Sequence, residues 1–331
     1  PDFIHTLYTQ EALDTALKGP GKVHFTPGTG SSLTINDGYD YPRLYGPGTL
    51  TAITRGNLTA HGQATITTVT GGTVWAYDRA TITEVTGGTV WAKVHATITT
   101  VTGGTVWAYD HATITTMTGG TATVLHNVTI TEVTGGTLTA YDHATITTMT
   151  GGTLTAHDHA TITTMTGGTV RAYDQATITT MTDGTLTAHD HVTITEVTGG
   201  TVWACHHATI TEVTGGTVDA RGHVTITTMT DGNLTTYGDA TITTMTGGTV
   251  YLYGNATITT MTGGNATVTG GTVWAYQNAQ VHVPAGTDAV IHAHDNAHIT
   301  AESGTIHIHN PTVTLTNINN GATIINYPDN H

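Results

Sequence analysis

Positive charge is nearly missing from this chain: eight Lys plus Arg stand against 23 Asp plus Glu, giving a formal net charge of −15 with histidine neutral. A protein that grips a nucleic-acid backbone needs a basic stripe to displace counterions. None is present, so nucleic acid is not expected among the partners. Charged residues of both signs make up only 9% of the chain, which leaves hydroxyls rather than ions to keep the surface wet. A single cysteine, Cys205, excludes an internal disulfide. No apolar run reaches the length of a membrane span or a signal peptide, so no membrane partner is expected. The Pro1-Asp2 opening suits either loss of an initiator Met or a mature secreted chain, which leaves localisation open. Also missing are the spacings of chemistry. No Ser-His-Asp set, nucleophile elbow or phosphate loop can be placed, and a non-enzymatic protein without a cofactor is expected.

What the chain has is repetition. "ATITTMTGG" occurs at residues 144–152 and again at 160–168, and the same unit opens at Ala64, Ala80, Ala96, Ala112, Val128, Ala144, Ala160, Ala176, Val192, Ala208, Val224, Ala240 and Ala256. With Gly48 one register earlier, fourteen consecutive sixteen-residue units run without insertion. After Gly263 the register breaks: "GNATVTG" (264–270) adds seven residues, and irregular units open near Ala279 and Ala297. The chain therefore divides into a leader (1–47), a regular array (48–263) and an irregular tail (264–331). Its length alone suggests two domains, but a fixed period argues for one continuous stack.

Within a unit such as "ATITTMTGGTLTAHDH" (144–159), apolar and polar residues alternate over short runs punctuated by Gly-Gly and Asp-His. Period two means strand, and no helical stripe survives in the array. Strands this short cannot fold alone, so they must stack as rungs about 4.8 Å apart. The expected fold is all-β: a single parallel β-solenoid of sixteen-residue coils with an N-terminal helical cap. The inward set per rung is Ala or Val, Ile, Val or Met, Val or Leu, and Ala. All seven methionines (Met117, Met149, Met165, Met181, Met229, Met245, Met261) occupy one of these slots, as soft core filler would. "TQEALDTALKGPG" (9–21) predicts a short helix capped by Thr9 and ended by Gly19-Pro20, followed by a strand in "KVHFTPG". This leader resembles the helix-then-strand opening of right-handed parallel β-helices of the pectin-lyase type, a resemblance that implies a cap and no activity.

Threonine fills three positions of every unit. At the second and fourth stand Thr49 and Thr51, Thr65 and Thr67, Thr81 and Thr83, Thr97 and Thr99, Thr113 and Thr115, Thr129 and Thr131, Thr145 and Thr147, and Thr161 and Thr163. The rows continue through Thr177 and Thr179, Thr193 and Thr195, Thr209 and Thr211, Thr225 and Thr227, Thr241 and Thr243, and Thr257 and Thr259; the seventh position runs from Thr54 to Thr262. The outward slot of the opposite strand instead drifts through Thr59, Trp75, Trp91, Trp107, Thr123, Thr139, Thr155, Arg171, Thr187, Trp203, Asp219, Thr235 and Tyr251. β-propensity and good stacking predict threonine on both sides with substitutions tolerated, and recent duplication predicts equal uniformity. Neither accounts for one uniform face and one variable face. The Thr-Ile-Thr rows resemble the Thr-X-Thr ladders of β-solenoid antifreeze proteins, which implies a rigid, uncharged, cofactor-free face that orders water to match ice. Glu84, Glu132, Glu196 and Glu212 replace threonine at the next position.

Other constellations are weaker. Trp75, Trp91 and Trp107 on successive rungs, with Tyr77, Tyr109, Tyr141 and Tyr173 two residues on, suit either sheet stabilisation or a sugar- or protein-binding patch. The Asp-His corner accepts Arg79, Asn127, Gln175 and Asn255 as well, which marks it as a turn. Asp142, Asp158, Asp174 and Asp190 stack as like charges that neighbouring histidines can relieve in mild acid. The Gly-Gly turns lack the Asp spacing of the Ca²⁺-binding nonapeptide repeat. In the tail, "IHAHD" (291–295) and "IHIHN" (306–310) lie one rung apart and place His292, His294, His307 and His309 outward, with His282 and His298 nearby, as candidate ligands for Zn²⁺, Ni²⁺ or Cu²⁺. The leading expectation is a non-enzymatic binding protein whose threonine face meets an extended regular surface, ice most concretely, or another polymer or protein. Alternatives are a fibre segment that oligomerises through its tail, and an acidic mimic of DNA.

Overall fold

A computed structural model describes residues 4–19, 23–37, 42–319 and 321–327. The chain is an all-β parallel β-solenoid with sixteen-residue spacing between coils and very little helix. It falls into two compact units, Pro1–Thr163 and Thr164–His331. Among the described residues no helix is long and apolar enough to cross a membrane.

In the first unit the helix Gln10–Lys18 forms where its cap allows: the Thr9 hydroxyl accepts the Ala12 N–H at 3.2 Å, and Leu13 and Leu17 turn inward. Gln10 then pins the helix by donating to the Thr34 carbonyl and accepting the Thr34 N–H, each at 2.8 Å. Gly19 ends it, while Pro20, Gly21 and Lys22 lie outside the described residues. The expected following strand is His24–Pro27, paired with His5–Leu7.

Each regular rung contributes one strand to each of two parallel sheets. One, the threonine sheet, takes Thr49–Ile53, Thr65–Val69 and their successors through Thr145–Met149 in the first unit, and Thr177–Met181 through Thr257–Met261 in the second. The other, the variable sheet, takes Thr73–Ala76 and its equivalents. All five predicted inward positions are buried; in one rung these are Ala64, Ile66, Val69, Val74 and Ala76. Rungs join through bonds such as Thr97 N–H to the Ala80 carbonyl at 2.9 Å.

Two different turns close the rung, and each has its own requirement. At the Gly-Gly turn the second glycine has positive φ, and a Cβ on Gly88 would sit 2.7 Å from the Gly72 oxygen. Successive turns thus nest backbone on backbone, a close approach that a side chain prevents. Methionine explains itself here: Met117 Cε lies under the following rung's turn, 2.8 Å from where a Gly136 Cβ would be. At the other corner two consecutive residues are left-handed, as with Asp142 (φ 49) and His143 (φ 61), closed by Ala144 N–H to the Tyr141 carbonyl at 3.2 Å. Positive φ at both central residues suits Asp and Asn. Here the ladder runs forward, for His143 N–H donates to Asp158 of the next rung at 3.2 Å.

The tail departs from the sequence reading in an instructive way. "GNATVTG" adds no extra loop. Asn265–Val268 is an ordinary strand of the variable sheet, and the chain re-enters the threonine sheet one residue early, Thr272 pairing Thr257 across fifteen residues. From there the two turns exchange sides. Gly270-Gly271 now leads into the threonine sheet, and the Tyr276-Gln277-Asn278 corner leads out of it. "TVWA" (272–275), whose equivalents lie on the variable sheet throughout the array, therefore lies on the threonine sheet.

Two local misfits identify substitutions. Val94 is a β-branched residue at φ 51, where an L side chain costs about 1–2 kcal/mol. Val94→Asn should raise unfolding stability by about 1 kcal/mol, measured by chemical denaturation. Thr236 occupies an Ala slot, fully buried, with no partner for its hydroxyl among the described residues. Thr236→Val should stabilise by about 1–3 kcal/mol, the cost of a buried unpaired hydroxyl.

Candidate functional site

The threonine rows are continuous columns within each unit. The second-position threonines pair directly, Thr49 through Thr145 in the first unit and Thr177 through Thr257 in the second. The fourth position behaves differently. Because Ile66 and Val69 both face inward, Thr67 and Thr68 both lie outside, and the ladder joins positions two, three, five and six while passing over four. The sheet is creased along the fourth-position row, which in most rungs is at least as exposed as the second: Thr67 is open where Thr65 is half-buried. Beyond the crease lies the fifth-position row, Thr68–Glu84–Thr100–Thr116–Glu132–Thr148 and Thr180–Glu196–Glu212–Thr228. The carboxylates are thus on the threonine sheet itself, and Glu196 pairs Glu212 directly.

Hydrogen bonding separates the three uniform rows. The seventh-position hydroxyl serves the fold: Thr102 Oγ1 donates to the Val85 carbonyl at 3.3 Å, beside the Thr102 N–H at 2.9 Å and the Gly103 N–H at 3.2 Å. Thr70, Thr86, Thr118, Thr182, Thr198, Thr214 and Thr230 repeat this bond. Among the described residues the second- and fourth-position hydroxyls bond no protein atom, except Thr51, 3.2 Å from Ser32 Oγ. A row the sequence reading passed over is the tenth position, on the variable sheet. It holds threonine from Thr73 to Thr249, save Asn233, and asparagine at Asn57 and Asn265. It tolerates asparagine, and the second and fourth rows do not.

The predicted histidine patch forms as its fifteen-residue spacing required. His292 pairs His307 on adjacent strands Val290–Ala293 and Ser303–Ile308, and His292 Nδ1 lies 3.1 Å from His309 Nε2. The arrangement is a double stack of rings. Trp274, His292 and His307 form one column, with centroids 3.9 and 4.6 Å apart. Tyr276, His294, His309 and Tyr327 form the other, at 4.6, 4.4 and 4.5 Å. Counting units could not assign Trp274 and Tyr276 to this stack, because the turns have exchanged sides; the intact "TVWAY" motif was the only signal. His282 and His298 lie instead on the variable sheet, since successive strands of a rung alternate between sheets. Among the described residues no group of three or more His, Cys, Asp or Glu side chains converges as a metal ion would need.

The other aromatic and acidic features are also stacks. Trp91 and Trp107 lie 5.2 Å apart and nearly parallel, so the rings cover each other's faces. Along the corner, His126 stands between two members of the Asp column, 3.3 Å from Asp110 and 3.4 Å from Asp142. No protein-family model matches this chain, and neither a curated protein nor a solved structure does.

Burial, then the neighbouring imidazoles His307, His309 and His294, pushes the His292 pKa down from 6.5 to about 4; burial first and other imidazoles second also lower His294 and His309. The 3.1 Å contact needs one nitrogen to accept, so both imidazoles cannot be charged. A folded-state pKa below the unfolded value means that the unfolded chain binds more protons as pH falls. The tail should therefore keep its full stability above pH 6.5 and lose it progressively toward pH 4. NMR titration of the four rings with thermal melts across that range checks this. His292→Phe, which keeps a ring against Trp274, should flatten the dependence.

Proposed function

We propose that the threonine sheet is a non-enzymatic binding face for an extended, regular, uncharged surface, with ice the most concrete candidate. The observation that carries this reading is the difference between rows. At the seventh position threonine is held by a carbonyl that its hydroxyl serves, whereas the equally uniform second and fourth rows offer hydroxyls the fold does not use. Hydroxyls and methyls then repeat about 4.8 Å apart between rungs and about 6.6 Å apart along each strand. Such a lattice can hold ordered water in fixed positions, in the manner of the Thr-X-Thr ladders it resembles. The crease and the four fifth-position glutamates bound the face on one side. The acidic-mimic alternative has less support, because the Asp column is interrupted by Val94 and His126 and only Glu196 and Glu212 are adjacent in the Glu row.

Ice shaping and thermal hysteresis of the purified protein, beside a Thr145→Tyr/Thr161→Tyr variant, test the reading. Faceted crystals and a freezing gap, both lost in the variant, are expected. Round crystals without a gap would remove ice as the partner.

A further inference from the structure

A second surface, on the variable sheet of the Thr164–His331 unit, has a different chemistry. Four parallel strands, Asn265–Val268, Gln280–Val283, His298–Ala301 and Thr314–Thr316, set their outward residues in two columns. Asn265, Gln280 and His298 form one; Thr267, His282, Thr300 and Thr316 form the other. Together they line a groove of about 390 Å³ with Ala266 and Val281 in its floor. That volume lies at the small end of the ~300–1,000 Å³ typical of small-molecule sites. Rung length in this stretch is uneven, fifteen residues from Asn265 to Gln280, eighteen from Gln280 to His298 and sixteen from His298 to Thr314, where the array keeps sixteen.

The lining is polar, carries no Lys, Arg, Asp or Glu, and is mostly unspent. Thr300 Oγ1 and Thr316 Oγ1 share a hydrogen bond of 2.8 Å. The side chains of Asn265, Gln280, His282, His298 and Thr267 bond no protein atom among the described residues. Amide, imidazole and hydroxyl groups each offer both donor and acceptor capacity, which matches adjacent hydroxyls on a ligand rather than a phosphate or a metal ion. An apolar element stands at the groove's end. Tyr251 is one rung from Thr267 in the same column, with Thr235 on its other side, and is 43% exposed. Tyr237 and Tyr253 stack on each other at 5.2 Å, but within its own column Tyr251 has threonines on both sides, and among the described residues no ring stacks on it. An open aromatic face beside planar polar groups suits a pyranose, which has an apolar C–H face and a rim of hydroxyls.

We propose that this groove is a carbohydrate subsite for a neutral glycan, engaging one or two sugar residues, with Tyr251 as the stacking platform and Asn265, Gln280, His282 and His298 as the hydroxyl-reading groups. It lies on the sheet opposite the threonine rows and does not depend on their role.

The test is a printed array of neutral and acidic glycans probed with the full chain at pH 7, beside three variants. Thr267→Trp fills the groove with a residue that its row already accepts at Trp75, Trp91 and Trp107. Gln280→Ala/His298→Ala removes exposed polar groups, and Tyr251→Thr removes the platform. Neutral glycans should be bound, with affinity lowered by about tenfold or more in each variant and unchanged in Thr145→Tyr/Thr161→Tyr. A blank array, binding confined to acidic glycans, or binding that survives Thr267→Trp would each overturn the proposal.

Discussion

The parallel hydrogen-bond ladder between rungs is the constraint from which the rest follows. Strand N–H groups bond the neighbouring coils, as Thr97 donates to the Ala80 carbonyl of the coil before it. Every side chain therefore sits over its equivalent at about the 4.8 Å strand spacing, and like stacks on like down each column. Inward columns of the regular array become files of Ile, Val, Leu, Met and Ala that bury one another. Outward columns become hydroxyl rows, ring stacks or charge rows, according to what the unit carries. A single outward residue has little meaning in such a fold. A column has a great deal, because its pitch is imposed by the backbone.

The corners show how tightly this constraint reaches into residue choice. The nested Gly-Gly turns leave no room for a Cβ, and the space beneath them is what methionine enters. The opposite corner places two residues in the left-handed region and ties them forward to the next rung, which explains why Asp, Asn and His recur there and why Val94 is out of place. The seventh-position threonine joins two backbone donors on one carbonyl. Three of the chain's most repetitive features are thus demands of the stack itself. The second and fourth threonine rows repeat without such a demand among the described residues.

Much of this was legible in the sequence. The period gave the solenoid, alternation gave the five inward slots, and Thr9 with Gly19 framed the capping helix. The fifteen-residue interval between the two His-X-His segments placed His292 beside His307. Other features lay beyond pattern reading. The crease at the fourth position arises because Ile66 and Val69 both turn inward three residues apart, and strict alternation hides it. The stack of Trp274 and Tyr276 on the imidazoles depends on the half-coil added after Gly263 filling one strand of the variable sheet, which counting alone does not reveal. The groove at Asn265, Gln280 and His298 comes from uneven coil lengths and has no motif.

That added half-coil has a wider consequence. Because the glycine turn and the left-handed corner can each serve either edge of the coil, the seven residues from Gly264 to Gly270 carry the downstream motifs to the opposite sheet. Half-coil insertions in such a fold act as face exchanges. A tandem array that gains half a coil can transfer a whole strip of surface chemistry from one side of the molecule to the other in one step, a route to new surfaces that point substitution, working column by column, does not offer.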